Sequence, residues 1–241
     1  MRTAALVSLS ILTLTWPLHA QAPRAPHVFL GGSFIVAQPQ QEFSDYVNTS
    51  FGGSLHALWK PDANGPLGLR FEGGGIGYGN ERKRVPLSST IGGRVNVDLT
   101  TSNFIVFGHV GPQLTLPSGA IRPYVAPSAG FAYIATVSSV SGVNNGQNIA
   151  QQTNYDDFLF SYGATGGIYL LLSRGRVPVL LDLSTRYYQN GKASYLIEGS
   201  IQDNPDGSIS FTPINSRTNL LTFQVGVSVG IVNSGKRHLE D

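Results

Sequence analysis

Residues 103–137 read NFIVFGHVGPQLTLPSGAIRPYVAPSAGFAYIATV. Side chains of a strand alternate between two faces. Sorted at period two, Phe104, Val106, Gly108, Val110, Pro112, Leu114 and Leu116 share one face of the first arm. Asn103, Ile105, Phe107, His109, Gly111, Gln113 and Thr115 share the other. In the second arm, Ile121, Pro123, Val125, Pro127, Ala129, Phe131, Tyr133, Ala135 and Val137 oppose Arg122, Tyr124, Ala126, Ser128, Gly130, Ala132, Ile134 and Thr136. Two long alternating arms around a Pro-Ser-Gly-Ala turn predict a β-hairpin. One of its faces is almost purely apolar. The other mixes small residues with His, Gln and Arg.

The same alternation recurs outward from this hairpin, at about 27–38, 50–60, 67–80, 158–172, 177–189 and 219–232. That makes eight segments in all. The connections alternate between long and short. The short ones include PDANGP at 61–66 and SRGR at 173–176, both rich in turn-forming residues. The long ones are polar: PQQEFSDYVNT, the stretch 81–102, SSVSGVNNGQNIAQQTNYDD, and the longest, from 190 to about 218. Only the stretch 81–102 is expected to lengthen its flanking strands beyond a bilayer. An up-and-down barrel in an outer membrane has long loops on one rim and short turns on the other. A Greek-key sandwich has no reason to alternate this way. The expected fold is therefore all-β, an eight-stranded antiparallel up-and-down transmembrane β-barrel.

Charge agrees with this. Lys60, Arg70, Glu72, Arg122, Asp182 and Arg186 all fall on the mixed face, as do His56, His109, Gln113 and Gln224. A lipocalin-like soluble barrel fits the same parity with the faces reversed. The apolar face, however, carries more bulk than eight strands can enclose. Charged residues are 12% of the chain, against about 25% in an average soluble domain. Glycine is abundant and aromatics make up 10%. The polar lumen network is expected to hold Lys60, Arg70, Glu72, His109, Arg122, Asp182 and Arg186. Trp59, Tyr133, Phe158, Phe160 and Tyr187 are expected at the membrane interfaces.

The first residues, MRTAALVSLSILTLTWPLHAQA, have one Arg, an apolar run and small residues after Pro17. This is the layout of a secretory signal peptide, assigned to 1–20, with the barrel domain at 21–241. The apolar run is short for a membrane anchor. The chain has no cysteine, which excludes thiol catalysis, thiolate metal sites and a lipid anchor on Cys. A net charge of +2 does not point to nucleic acid.

With VGPQLTLPSG, IRPYVAPSAGFAY and the last strand LLTFQVGVSVGIV, the chain resembles the outer-membrane β-barrel proteins of the OmpA/OmpX type. The resemblance implies an eight-stranded barrel in the outer membrane of a two-membrane bacterium. It implies no single activity, because members include anchors, adhesion proteins and small pores. Members often end on Phe or Trp. This chain runs on past Ile231 with NSGKRHLED.

Catalysis finds little support in the sequence. His109 with Ser128, or His56 with Ser54, would make a nucleophile pair, but neither sits in a motif. DNPDGS at 203–208 lacks the ligand pattern of a calcium loop. ERKR at 81–84 is a basic run at a loop rim, suited to lipid phosphates or simply to water. NTS at 48–50 matches a glycosylation pattern and carries no weight in a bacterial chain. The expected protein is a monomeric barrel with a filled polar lumen and no cofactor, catalytic residue or metal. Its partners are outer-membrane lipid and an extracellular ligand met by the loops around Glu42, Asn145 and Asp203. The alternatives are a narrow pore lined by arginine and, less favoured, a lipid-modifying enzyme.

Overall fold

The computed structural model describes residues 25–86, 96–116, 119–142, 148–173, 177–197, 200–203 and 209–231. Residues 1–20, expected to be a signal peptide, and the NSGKRHLED tail lie outside these residues. So do Asn145 and all of DNPDGS after Asp203.

Eight strands close into a ring: β1 (Val28–Pro39), β2 (Ser50–Trp59), β3 (Leu67–Pro86), β4 (Asn96–Thr115), β5 (Ile121–Gly142), β6 (Asn148–Ser173), β7 (Val179–Asn190) and β12 (Leu220–Ile231). Each pairs antiparallel with its neighbours. The ring closes where β1 meets β12, from Val28 opposite Ile231 to Pro39 opposite Leu220. Closure leaves no unpaired strand edge within the ring, the condition a sheet must meet in lipid.

The faces lie as the alternation predicts. Leu55 is 73% exposed and Phe158 66%, and Leu67, Ile121, Leu172 and Val225 also point outward. Inward lie Arg70, Glu72, His56, His109, Asp182 and Arg186, each less than a tenth exposed. Room for them comes from inward glycines. A Cβ at Gly111 would stand 1.9 Å from the Pro127 carbonyl oxygen, and one at Gly163 would stand 2.0 Å from that of Tyr187.

The lumen is layered. At the turn rim, Phe29, Leu58, Tyr124, Tyr169 and Leu180 pack together. The charges occupy the middle. Toward the loop rim, Ile35, Ile76, Ile105, Phe107, Ile134, Leu159 and Leu220 form a second apolar layer. That layer is capped from outside the ring. A 3-10 turn at Gln41–Asp45 buries Phe43. A small hairpin of β8 (Lys192–Tyr195) and β11 (Ile214–Arg217) buries Ala193 and Tyr195. Phe43, Tyr78 and Tyr195 meet edge to face at 5.3–6.3 Å.

Two regions expected as loops are in fact strands. Residues 138–142 and 148–157 prolong β5 and β6. The region 190–218 holds the β8/β11 hairpin and a second one, β9 (Ile201–Asp203) with β10 (Ile209–Phe211). The prolonged β5 and β6 are polar on both faces because they stand clear of lipid. No alternation therefore marked them in the sequence. The stretch 81–102 lengthens β3 to Pro86 and starts β4 at Asn96, as expected.

Candidate functional site

Two places concentrate chemistry: the polar layer of the lumen and the sheet standing beyond the loop rim.

In the lumen, β3 brings Arg70 and Glu72 to the same face, two residues apart. Arg70 Nε donates to Glu72 Oε2 at 2.9 Å. Its Nη1 donates to the Tyr169 hydroxyl at 3.0 Å and to Gln113 Oε1 at 3.3 Å. Its Nη2 lies 3.6 Å from Asp182 Oδ2. Across the barrel, Arg186 on β7 donates to the same Glu72 oxygen, to the Tyr188 hydroxyl and, at 2.6 Å, to Thr165 Oγ1. Tyr124 donates to Asp182 Oδ1 at 2.7 Å. Two guanidinium groups thus face two carboxylates, and Glu72 joins the arginines. Buried charges persist only when paired and hydrogen-bonded in this manner. The arginines also lie over aromatic rings, Arg70 5.6 Å from the Tyr124 centroid and Arg186 4.9 Å from that of Tyr188.

Of the seven residues expected in this network, Arg70, Glu72, Asp182 and Arg186 meet. His109 lies beside them, stacked on Tyr188 at 4.2 Å, with Nε2 2.8 Å from Ser161 Oγ. Lys60 and Arg122 are elsewhere. Lys60 follows the last residue of β2 and donates to the Ala63 carbonyl at 3.0 Å within the turn. Arg122, half-buried, donates to the Gly119 carbonyl at 3.2 Å. Both sit where their strands meet the turn rim, below the charged layer, and each donates to a turn carbonyl there. Tyr124, Tyr169, Tyr188 and Thr165 complete the network as partners that the charge pattern does not announce. Their inward parity was visible, but strand order alone does not give the height at which side chains meet.

The histidines do not meet the serines weighed above as nucleophile partners. His109 meets Ser161 rather than Ser128, and His56 Nε2 lies 3.4 Å from Ser228 Oγ rather than meeting Ser54. Ser161 is fully buried in the lumen. The enclosed space between Arg70, Glu72, His109 and Arg186 is about 10 Å³, close to the smallest that holds one water.

Trp59 lies outward at the turn end of β2. Phe158 and Phe160 lie outward toward the loop rim, with Phe158 stacked on Phe131 at 5.3 Å. Tyr133 donates to Asp156 at 3.1 Å. Tyr187 is half-buried between Ala164 and Leu221.

Beyond the loop rim, β3, β4, β5 and β6 continue as a four-stranded sheet. Pairing of β2 with β3 stops at Phe51 opposite Gly77, while β3 and β4 stay paired to Pro86 opposite Asn96. Pairing of β6 with β7 stops at Ser161 opposite Asn190, while β5 and β6 continue to Ser141 opposite Asn148. The extension therefore has two free edges among the described residues. The β3 edge carries Glu81, Arg82, Lys83 and Arg84. The β6 edge, NIAQQTNY, carries no charge and no proline before Asp156.

On β3 and β4, Arg82 Nη2 and Arg84 Nε reach the same Asp98 carboxylate, at 2.6 and 3.3 Å. The hydrogen bond from Arg82, with that from Arg84, holds this carboxyl below the ordinary carboxylate range. Asp157 accepts the Ser194 N–H at 3.0 Å, tying the extension to the capping hairpin. The two caps are tied as well. Glu42 Oε2 accepts the Arg217 N–H at 2.9 Å, and Asn219 Nδ2 donates to Gln41 Oε1 at 2.7 Å.

An apolar exterior around a charged, hydrogen-bonded lumen, in a closed ring of eight antiparallel strands, defines a transmembrane β-barrel. No protein-family model and no curated protein matches the sequence. Among solved structures the chain is similar to Neisserial surface protein A, at 10% identity and a TM-score of 0.41, over 85% of this chain and 97% of that one. It is also similar to a major outer membrane protein of Thermus thermophilus, at 12% identity and 0.40, over 85% and 99%. A third is Ail, the attachment invasion locus protein of Yersinia pestis, solved with the heparin analogue sucrose octasulfate. It is 11% identical with a TM-score of 0.36, over 85% and 96%.

Proposed function

We propose that this chain is an outer-membrane anchor for an external binding surface, working as a monomer with a closed lumen. The observation that carries the reading is the uncharged β6 edge outside the membrane. A strand edge offers a row of unsatisfied N–H and C=O groups to any extended chain. Proteins ordinarily protect such edges with charge, proline or cover. The β3 edge has that protection in its run of four charged residues, and residues 148–155 of β6 carry neither charge nor proline. The partner class this favours is an extended polypeptide segment that adds as a strand.

The interlocked lumen layer, its two apolar seals and the capping turn and hairpin support an anchor over a pore. The burial of the His109–Ser161 pair away from both rims supports a non-catalytic reading.

The test is selection of extended peptides from a displayed library on the refolded barrel, with edge-recoded variants for comparison. Gln151→Lys with Thr153→Lys gives β6 the kind of protection that β3 has. Selected peptides should bind the recoded barrel at least about ten-fold more weakly. Selection of no peptide, or equal binding to the recoded barrel, would remove the edge from the account.

A further inference from the structure

The outer wall carries glycines that the barrel itself does not require. Gly74 faces inward, and a Cβ there would stand 2.4 Å from the Gly53 carbonyl oxygen. Its outward neighbours differ. A Cβ at Gly73 or Gly75 would meet nothing nearer than 3.6 and 3.7 Å, and at Gly77 nothing within 4 Å. These positions have space for a side chain and lack one. Each has an apolar side chain across at least one strand boundary: Leu55 flanks Gly73, Val106 flanks Gly75, and Phe51 and Phe104 flank Gly77, while Gly108 and Gly53, opposite Gly73 and Gly75, widen the gap. The result is an apolar trench along β3. At its lower end it opens into a hollow of about 720 Å³ lined by Leu55, Phe71, Gly73, Gly108, Val110 and Phe131.

The trench has a charged upper end. β3 pairs Gly77 with Phe104 and then Gly79 with Asn103, so Tyr78 is an extra residue at a bulge. The bulge resets parity and brings Arg82 and Arg84 to the same outer face as the trench floor. Their side chains are 66% and 60% exposed. Both lean on Asp98, which aligns the two guanidinium groups and cancels only one of their charges.

The spacing matches one leaflet. Gly73 to Arg82, less the bulge residue, is about 26 Å along a strand at ~3.3 Å per residue. At a strand tilt near 45° this is roughly 18 Å along the membrane normal, against about 15 Å for half of the hydrocarbon core. An acyl chain lying over Gly73–Gly77 thus places its headgroup at the height of Arg82 and Arg84.

We propose that the outer face of β3 is a binding site for one acyl-chain lipid with a phosphate monoester headgroup. The chain fills the glycine trench, and the phosphate meets the Arg82/Arg84 pair. Guanidinium groups suit phosphate because they present paired donors in a planar fork. The proposal rests on the membrane reading of the barrel and is independent of the β6 edge.

The experiment refolds the full barrel in phosphatidylcholine vesicles doped with phosphatidic acid. A heat-dependent gel shift certifies folding, and native mass spectrometry then counts retained lipid. The wild type should retain one phosphatidic acid in preference to phosphatidylcholine. Arg82→Gln with Arg84→Gln should lower that retention about ten-fold or more. Gly75→Leu with Gly77→Leu, which fills the trench and leaves the arginines, should do the same. Arg122→Gln, at the opposite rim, should leave it unchanged. Retention indifferent to both paired variants overturns the site. So does loss in the arginine variant alone, which marks charge attraction without a seated chain. A trench variant that instead converts a dimer to a monomer overturns it in favour of a second copy. A wild type that never gives the folded gel form in bilayers would sink the membrane reading itself.

Discussion

Glu72 is the residue on which the lumen depends most. Among the described residues it alone accepts from both arginines, one on its own strand and one across the barrel. Glu72→Gln leaves two buried guanidinium groups against one carboxylate, and removing one partner of a buried pair costs about 3–5 kcal/mol. Urea titration of the barrel refolded in vesicles should register a loss of that size. Arg122→Ala, which removes a half-exposed hydrogen bond at the turn rim, should stay within about 0.5 kcal/mol. Equal effects would mean that the two arginines lean on other groups. Asp98 gives a pH prediction. Its folded carboxyl titrates below its unfolded one because Arg82 and Arg84 hold it ionised. The stabilisation is therefore complete above the ordinary carboxylate range near pH 4 and is lost as pH falls through the lower folded value. Amide protection at residues 97–100 should decline on acidification into that window. Asp98→Asn should abolish the dependence, and an unchanged profile in that variant would assign it to another group.

At the scale of elements, alternation in the sequence showed the eight crossing strands and which face of each is outward. It succeeded there because lipid on one side and a packed lumen on the other impose opposite demands on neighbouring residues. Beyond the rim both faces of β5 and β6 meet water. Ser138–Ser139 and Gln151–Gln152 then satisfy a strand as well as a loop, and the pattern falls silent. The caps left a fainter trace. Phe43 and Val47 in a mostly polar connection, and Tyr195 with Leu196 in the longest one, are apolar residues that a solvated loop has no use for. The charged network was half legible. Parity put Arg70, Glu72, Asp182 and Arg186 inside, but the separation of Lys60 and Arg122 from them depends on height along tilted strands. The outward assignment has its own test. Leu55→Arg places a charge on the most exposed apolar position of β2, near mid-height. In a membrane this should cost about 2–4 kcal/mol of folding stability in vesicles. A change within about 0.5 kcal/mol, as at an ordinary solvated surface, would return the apolar face to water.

The whole molecule divides its tasks by level. The ring holds the chain in the membrane and the charged layer fills it. In the function proposed above, two apolar layers and the capping turn and hairpin close it, and the sheet of β3–β6 outside is the part offered to partners. The central claim is that closure, and conductance tests it most directly. The chain from residue 21 to 241, shown to be folded by its heat-dependent gel shift, is inserted into a planar bilayer and recorded at single-channel resolution. The account predicts a flat baseline, and the same silence in Arg70→Ala and Arg186→Ala that still fold. Steady, discrete openings from the folded wild type, with ion selectivity altered by either substitution, would contradict it and make the lumen a conducting path.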